Sequence, residues 1–173
     1  MKALVLVVAL VGLVALAGSA SAEPLTFGVN LGFDARLINP GPHDQSANQG
    51  ASLDVEIGAA LTPRLELTGF GRLRQTWFGD SDTFGSNGDE LWLGGRFHVL
   101  VSRAVFVGAG VAWLAAAGRN NEDTTTGMAL EAHVGTRIPA GRIAFEPLLE
   151  LGRIDLSLPS QVFYLRAAVG LRW

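Results

Sequence analysis

The sequence predicts an all-β protein, a single antiparallel up-and-down barrel of eight strands that crosses a membrane. Three observations carry this. Eight segments alternate apolar and polar residues with the period of two that marks a strand. Long polar stretches and tight turns join these segments by turns. Beyond residue 22, no stretch approaches the ~18 consecutive apolar residues of a spanning helix. Of the 173 residues 49% are hydrophobic and 17% charged, which excludes a disordered chain. With no cysteine, the chain has no disulfide scaffold, thiolate metal site or thiol nucleophile. A formal charge of −3 gives no basic footprint for nucleic acid.

Residues 1–22 read as a secretory signal peptide. Lys2 supplies the positive start, an apolar run extends from Ala3 to Ala17, and the small residues Ala20-Ser21-Ala22 precede a cut before Glu23. The apolar run is shorter than the roughly 20 residues of a membrane anchor. Residues 23–173 are then one barrel domain. Lys2 is the chain's only lysine, so every base of the mature domain is an arginine.

The strands follow in order. The first sets Leu25, Phe27, Val29, Leu31, Phe33, Ala35 and Leu37 against Thr26, Gly28, Asn30, Gly32, Asp34 and Arg36. The second, near 51–60, sets Leu53, Val55, Ile57 and Ala59 against Ser52, Asp54, Glu56 and Gly58. In the third, near 65–78, Leu65, Leu67, Leu73 and Trp77 oppose Glu66, Thr68, Arg72 and Arg74. In the fourth, near 90–101, Leu91, Leu93, Phe97, Val99 and Val101 oppose Glu90, Trp92, Arg96 and His98. The fifth, near 104–117, is apolar on both faces, with the small residues Gly108, Gly110 and Ala112 opposite Val105, Val107, Ala109, Val111 and Trp113. The sixth, near 128–139, sets Met128, Leu130, Ala132, Val134 and Ile138 against Glu131, His133 and Arg137. The seventh, near 143–155, sets Ile143, Phe145, Leu149 and Leu151 against Glu146, Glu150 and Gly152. The last, 161–173, sets Phe163, Leu165, Ala167, Val169, Leu171 and Trp173 against Tyr164, Arg166, Ala168, Gly170 and Arg172.

Long loops are expected near 39–49, 80–89 and 119–127, with a shorter one near 157–160. Tight turns fall at Thr62-Pro63-Arg64, Ser102-Arg103 and Gly141-Arg142. This layout places short turns on the periplasmic side and long loops outside.

Two barrels share this period. A soluble one hides its apolar side chains in the lumen, whereas a membrane one turns them to lipid. An eight-stranded lumen is only wide enough to be filled by side chains or to hold one small ligand. It has no room for Phe27, Phe33, Trp77, Phe97, Trp113, Phe145, Phe163 and Trp173 together. The polar face fits an interior better. Its acids Asp34, Asp54, Glu56, Glu66, Glu90, Glu131, Glu146 and Glu150 nearly balance Arg36, Arg72, Arg74, Arg96, Arg137, Arg166 and Arg172, with His98 and His133 among them. Paired buried charges are far less costly than unpaired ones, and the glycines between them leave room for long side chains. The interior network is therefore expected from these residues, plugging the lumen together with Trp92 and Phe106.

The final segment ends on an aromatic, Trp173, with apolar residues at alternate positions before it. In this and in its strand pattern the mature chain resembles the small eight-stranded outer-membrane barrels of the OmpA/OmpX type. The resemblance implies a location in a Gram-negative outer membrane. It also implies that the barrel-assembly machinery reads Leu165, Val169, Leu171 and Trp173, and that lipid and lipopolysaccharide surround the barrel. Terminal Trp departs from the family's commoner Phe.

Two features run against the pattern. Pro147 lies mid-strand on the outward face, where a missing ladder hydrogen bond predicts a bulge. Arg153 and Asp155 share the lipid-facing parity close to a loop, which puts them in the headgroup zone, either against lipopolysaccharide phosphate or solvated.

Little chemistry is legible. His133 and His98 have no serine at local spacing that would make a nucleophile–base pair, since Ser102 sits in a turn. His43 falls in the first loop. Asp80-Ser81-Asp82 and Asp89-Glu90 lack the ligand series of a calcium loop. Gly69-Phe70-Gly71 and Gly108-Ala109-Gly110 lack the strand–turn–helix setting of a phosphate loop. The expectation is a non-catalytic structural or surface protein without cofactor or metal, with any extracellular ligand bound through its loops. A lipid A-modifying barrel enzyme and a secreted soluble barrel carrying a small apolar ligand are the alternatives.

Overall fold

The computed structural model describes residues 25–39, 46–79, 89–117, 124–156 and 161–173. These form β1 (Thr26–Asn39), β2 (Ser46–Thr62), β3 (Leu65–Gly79), β4 (Asp89–Leu100), β5 (Val105–Ala117), β6 (Thr124–Thr136), β7 (Ile138–Ala140), β8 (Ile143–Leu156) and β9 (Gln161–Arg172). Every neighbouring pair is antiparallel, in the order β6-β5-β4-β3-β2-β1-β9-β8-β7, and β6 also pairs with β8. The sheet therefore closes on itself. Because β6 and β7 are two pieces of one stave, parted at Arg137, the barrel has eight staves. Closure removes every sheet edge, which is what lets a β-structure sit in hydrocarbon.

The side-chain period places the two faces. On β1, Leu31 is 67% exposed while its neighbour Asn30 is 3% exposed. On β9, Leu165 is 49% exposed and Arg166 only 1%. Phe163, Leu165, Val169, Leu171 and Trp173 all face outward, as do Phe27, Phe33, Phe97 and Phe145. Among the outward residues of β8, Arg153 and Asp155 are charged; they pair with each other near the loop end, Nε to Oδ1 at 2.8 Å. The other arginines of the strands face the centre. This arrangement overturns the soluble-barrel alternative, which needed the opposite. An apolar exterior this continuous is a surface for lipid.

Several boundaries differ from expectation. β2 begins at Ser46 rather than near 51, and β6 at Thr124 rather than near 128, so the first and third loops are shorter. Polar residues at these strand starts hide the alternation. No bulge forms at Pro147. Its register with Val169 is unbroken, and the pairing of β6 and β7 with β8 keeps the same register on both sides of Arg137. What is lost is one rung. The Arg137 N–H donates to the Ala104 carbonyl at 2.7 Å, so the neighbouring Thr136 faces β8, where Pro147 has no N–H to offer. The register shifts lie elsewhere, both between β2 and β3: Trp77 is the extra residue between the Gly50–Thr76 and Gln49–Phe78 pairs, and Leu61 the extra residue between the Ala60–Glu66 and Thr62–Leu65 pairs. The expectations for His43, for Asp80-Ser81-Asp82 and for residues 1–22 lie outside the described residues.

Candidate functional site

The barrel interior holds the charged groups, and alternate residues of each strand deliver them there. Three tiers follow one another from the loop end to the turn end.

Near the loops, Arg36 forks onto Glu90, both contacts at 2.8 Å. Arg74 donates from Nε to Asp34 at 2.8 Å, from Nη1 to Thr76 at 2.6 Å and from Nη2 to Asn48 at 3.0 Å. Trp92 Nε1 donates to the second Glu90 oxygen at 2.9 Å. An apolar cluster of Phe70, Trp92, Leu114, Ile154, Val162 and Tyr164 shares the interior with this tier.

In the middle, Arg72 spans two carboxylates. It reaches Asp54 at 3.0 and 3.2 Å and Glu150 at 2.8 Å through both terminal nitrogens. Glu150 also accepts from Arg166 at 3.1 Å and from the Tyr164 hydroxyl at 2.8 Å. Arg166 donates from Nε to Ser52 at 2.9 Å and lies 3.0 Å from Asp54. Arg96 bonds Glu56 at 2.9 Å and sits 2.9 Å from Glu131. Its guanidinium also lies 4.0 Å above the Phe70 ring, a cation–π stack.

Near the turns, Arg172 reaches Glu146 at 2.9 Å, Glu56 at 3.0 Å and, more closely, Glu66. Arg137 pairs with Glu66 at 3.0 Å and with Glu146. This ion pairing bridges the place where Arg137 interrupts the stave.

Glycines on the inward-facing positions make room for these long chains. His98, Gly108 and His133 lie side by side on β4, β5 and β6, and Arg96, Gly110 and Glu131 form the next such row. A Cβ on Gly108 would run into the His133 ring and the Phe97 carbonyl. Across this gap the two imidazoles meet edge to face, centroids 4.8 Å apart, and His98 stacks on Phe106 at 5.1 Å. None of their four ring nitrogens has a hydrogen-bond partner among the described residues. Among the same residues, no group of three or more His, Asp or Glu is arranged to hold a metal ion.

The residues expected in the interior are thus placed as follows. Arg36, Asp54, Glu56, Glu66, Arg72, Arg74, Arg96, His98, Glu131, His133, Glu146, Glu150, Arg166 and Arg172 are buried, and the Arg137 side chain is 23% exposed at the turn end. Leu165, Val169, Leu171 and Trp173 line the outer face at the end of the chain. Asn30, Ser52, Thr76 and Tyr164 join the network too, although sequence reasoning misses them as site residues. Their inward parity is the available signal, but uncharged side chains do not stand out by type.

Neither a protein-family profile nor a curated protein sequence matches the chain. Solved structures do. Neisserial surface protein A is similar over 87% of this chain and 98% of its own, with a TM-score of 0.65 and 11% identity. Ail, the attachment invasion locus protein of Yersinia pestis, is similar in complex with the heparin analogue sucrose octasulfate, over 86% of this chain and 99% of its own (TM-score 0.52, 13% identity). Ail in a phospholipid bilayer nanodisc is similar over 87% of this chain and 100% of its own (TM-score 0.52, 9% identity). At such identities the likeness is one of fold. The fold is that of the small eight-stranded barrels of Gram-negative outer membranes.

Proposed function

We propose that this barrel of the outer-membrane type is a non-catalytic protein of a Gram-negative outer membrane, with a structural or surface-interaction role carried by its loops. The distribution of polarity carries the reading. The outside is apolar, and inside the carboxylates and guanidinium groups pair with one another. In the middle tier, for example, Glu150 accepts from Arg72, Arg166 and Tyr164 together. A general acid or base needs a proton path to a substrate, and these groups face partners instead. His98 and His133 face each other and Phe106, not a serine. A lumen so occupied supports a closed barrel rather than a solute channel.

Specificity then belongs to the four loops, whose sequence is acidic. Asp44, Asp80, Asp82, Glu122 and Asp123 stand against Arg119 alone. Such loops fit a cationic ligand, or lipopolysaccharide phosphates bridged by divalent cations. They do not fit a polysulfate like the one in the Ail complex. In the same reading residues 1–22 are removed on export, and the assembly machinery engages Leu165, Val169, Leu171 and Trp173.

The test is refolding into lipid vesicles. The folded protein is expected to run at a different gel mobility before and after boiling. It is expected to fold only with lipid or detergent, and vesicles containing it are not expected to swell in small sugars. Folding in plain buffer would remove the membrane reading, and sugar-driven swelling would remove the closed lumen. Hydrolysis of lipid A that His133→Ala abolishes would make the protein an enzyme.

A further inference from the structure

The turn end of the barrel has the opposite character from the acidic loops. Each of its three tight turns carries one arginine: Arg64 between β2 and β3, Arg103 between β4 and β5, and Arg142 between β7 and β8. All three are exposed, and among the described residues none pairs with a carboxylate. The interior arginines, by contrast, are paired throughout.

The turns hold these side chains on a fixed rim. Thr62 Oγ1 accepts the N–H groups of Arg64 at 3.2 Å and Leu65 at 3.0 Å. Ser102 Oγ accepts those of Ala104 at 3.2 Å and Val105 at 3.0 Å. Gly141 turns the third corner with a φ of 71°, in the left-handed region that favours glycine. Adjacent turns are stitched together as well, since the Leu100 N–H donates to the Arg64 carbonyl at 2.8 Å and the Arg137 N–H to the Ala104 carbonyl at 2.7 Å. Exposed apolar residues share this end of the barrel: Leu61, Val101, Ile138, Ile143 and Trp173. Each arginine therefore stands where an apolar belt gives way to a polar boundary.

We propose that Arg64, Arg103 and Arg142 form a rim that binds the phosphate headgroups of anionic phospholipids in the leaflet on the turn side. The proposal rests on the membrane reading given above. A guanidinium presents a planar fork of donors that matches phosphate oxygens. Its aliphatic stem can lie along the apolar belt while the charge stays at the interface. Cations at that depth are drawn to an anionic leaflet. With basic turns and acidic loops, the barrel also has a preferred way up.

The experiment uses the barrel in phosphatidylcholine vesicles doped with spin-labelled phosphatidylglycerol or spin-labelled phosphatidylcholine, and reads the fraction of label immobilised at the protein. At low salt the wild-type protein is expected to favour phosphatidylglycerol by about twofold or more, and the preference is expected to shrink as salt screens it. Combining Arg64→Gln, Arg103→Gln and Arg142→Gln is expected to abolish it. Arg153→Gln, at the other end and already paired with Asp155, is expected to leave it intact. If the triple variant does not fold, each single variant is expected to lower the preference. A wild type without preference, or arginine variants that retain it, overturns the rim while leaving the barrel in its membrane. Failure to enter vesicles at all overturns the membrane reading first.

Discussion

At the scale of single residues, the smallest side chains set what the largest can do. Gly108 has no special backbone angle; it matters because the His133 ring closes over the space where its side chain would be, with His98 against that ring. Gly108→Ala is therefore expected to destabilise the barrel by about 1–3 kcal/mol, as overpacking does. Gly71→Ala, whose Cβ would meet only Leu93 Cδ2 at 3.7 Å, is expected to change stability by less than about 0.5 kcal/mol. Urea unfolding of the two variants from vesicles checks this, and equal effects would refute the steric account. The charged residues are legible in the sequence because parity and charge coincide: Arg72 and Arg74, or Glu146 and Glu150, fall on the same face of their strands. Which acid meets which arginine is not legible. Arg72 reaches Glu150 across 78 positions of chain, and that partnership depends on barrel diameter and strand stagger. The bare imidazoles are also beyond a sequence reading, since an unpartnered nitrogen is a property of its surroundings.

At the scale of the strand, alternation locates every stave and blurs their ends. β2 gains Ser46 to Gly50 and β6 gains Thr124 to Gly127, stretches of small and polar residues with no apolar rhythm. Pro147 loses its ladder hydrogen bond, as its chemistry dictates, but the register shift expected from that loss does not occur. A missing donor removes one rung, whereas only an extra residue shifts the pairing, as Trp77 does opposite Gln49 and Gly50. The missing rung gives a direct prediction. Pro147→Ala supplies an N–H facing the Thr136 carbonyl without altering the register. The backbone amide it introduces is expected to exchange as slowly as its ladder neighbours, and the barrel to gain about 0.5–1.5 kcal/mol, the net worth of one hydrogen bond. Fast exchange of that amide in a folded barrel would show that the gap has another cause.

At the scale of the molecule, an apolar jacket around an ionic core is legible because an eight-stranded lumen cannot contain the aromatic residues that share the apolar faces of the strands. The loops are legible only as acidic and polar. In the core, the first and last strands are indispensable to the charges. Arg172 on β9 bonds Thr26 on β1 and Glu56 on β2, 146 and 116 positions away, and Arg166 bonds Ser52 across 114. Refolding into vesicles is therefore expected to produce the compact, heat-modifiable band and the burial of Trp92 at one common rate. A Trp92 signal that settles well before the band appears would mean that the interior forms ahead of closure.

The reach of those contacts constrains how such a chain enters a bilayer. The hairpin of β2 and β3 arriving alone would bring Arg72 into oil with Asp54 but without Glu150, and Arg74 without Asp34, counterions from other parts of the chain. Threading stave by stave would therefore raise a barrier at each step, whereas a chain that curls shut as it sinks neutralises its own cargo on the way. The ionic heart of the barrel thus favours a concerted descent, in which β9 must find β1 before either is surrounded by lipid.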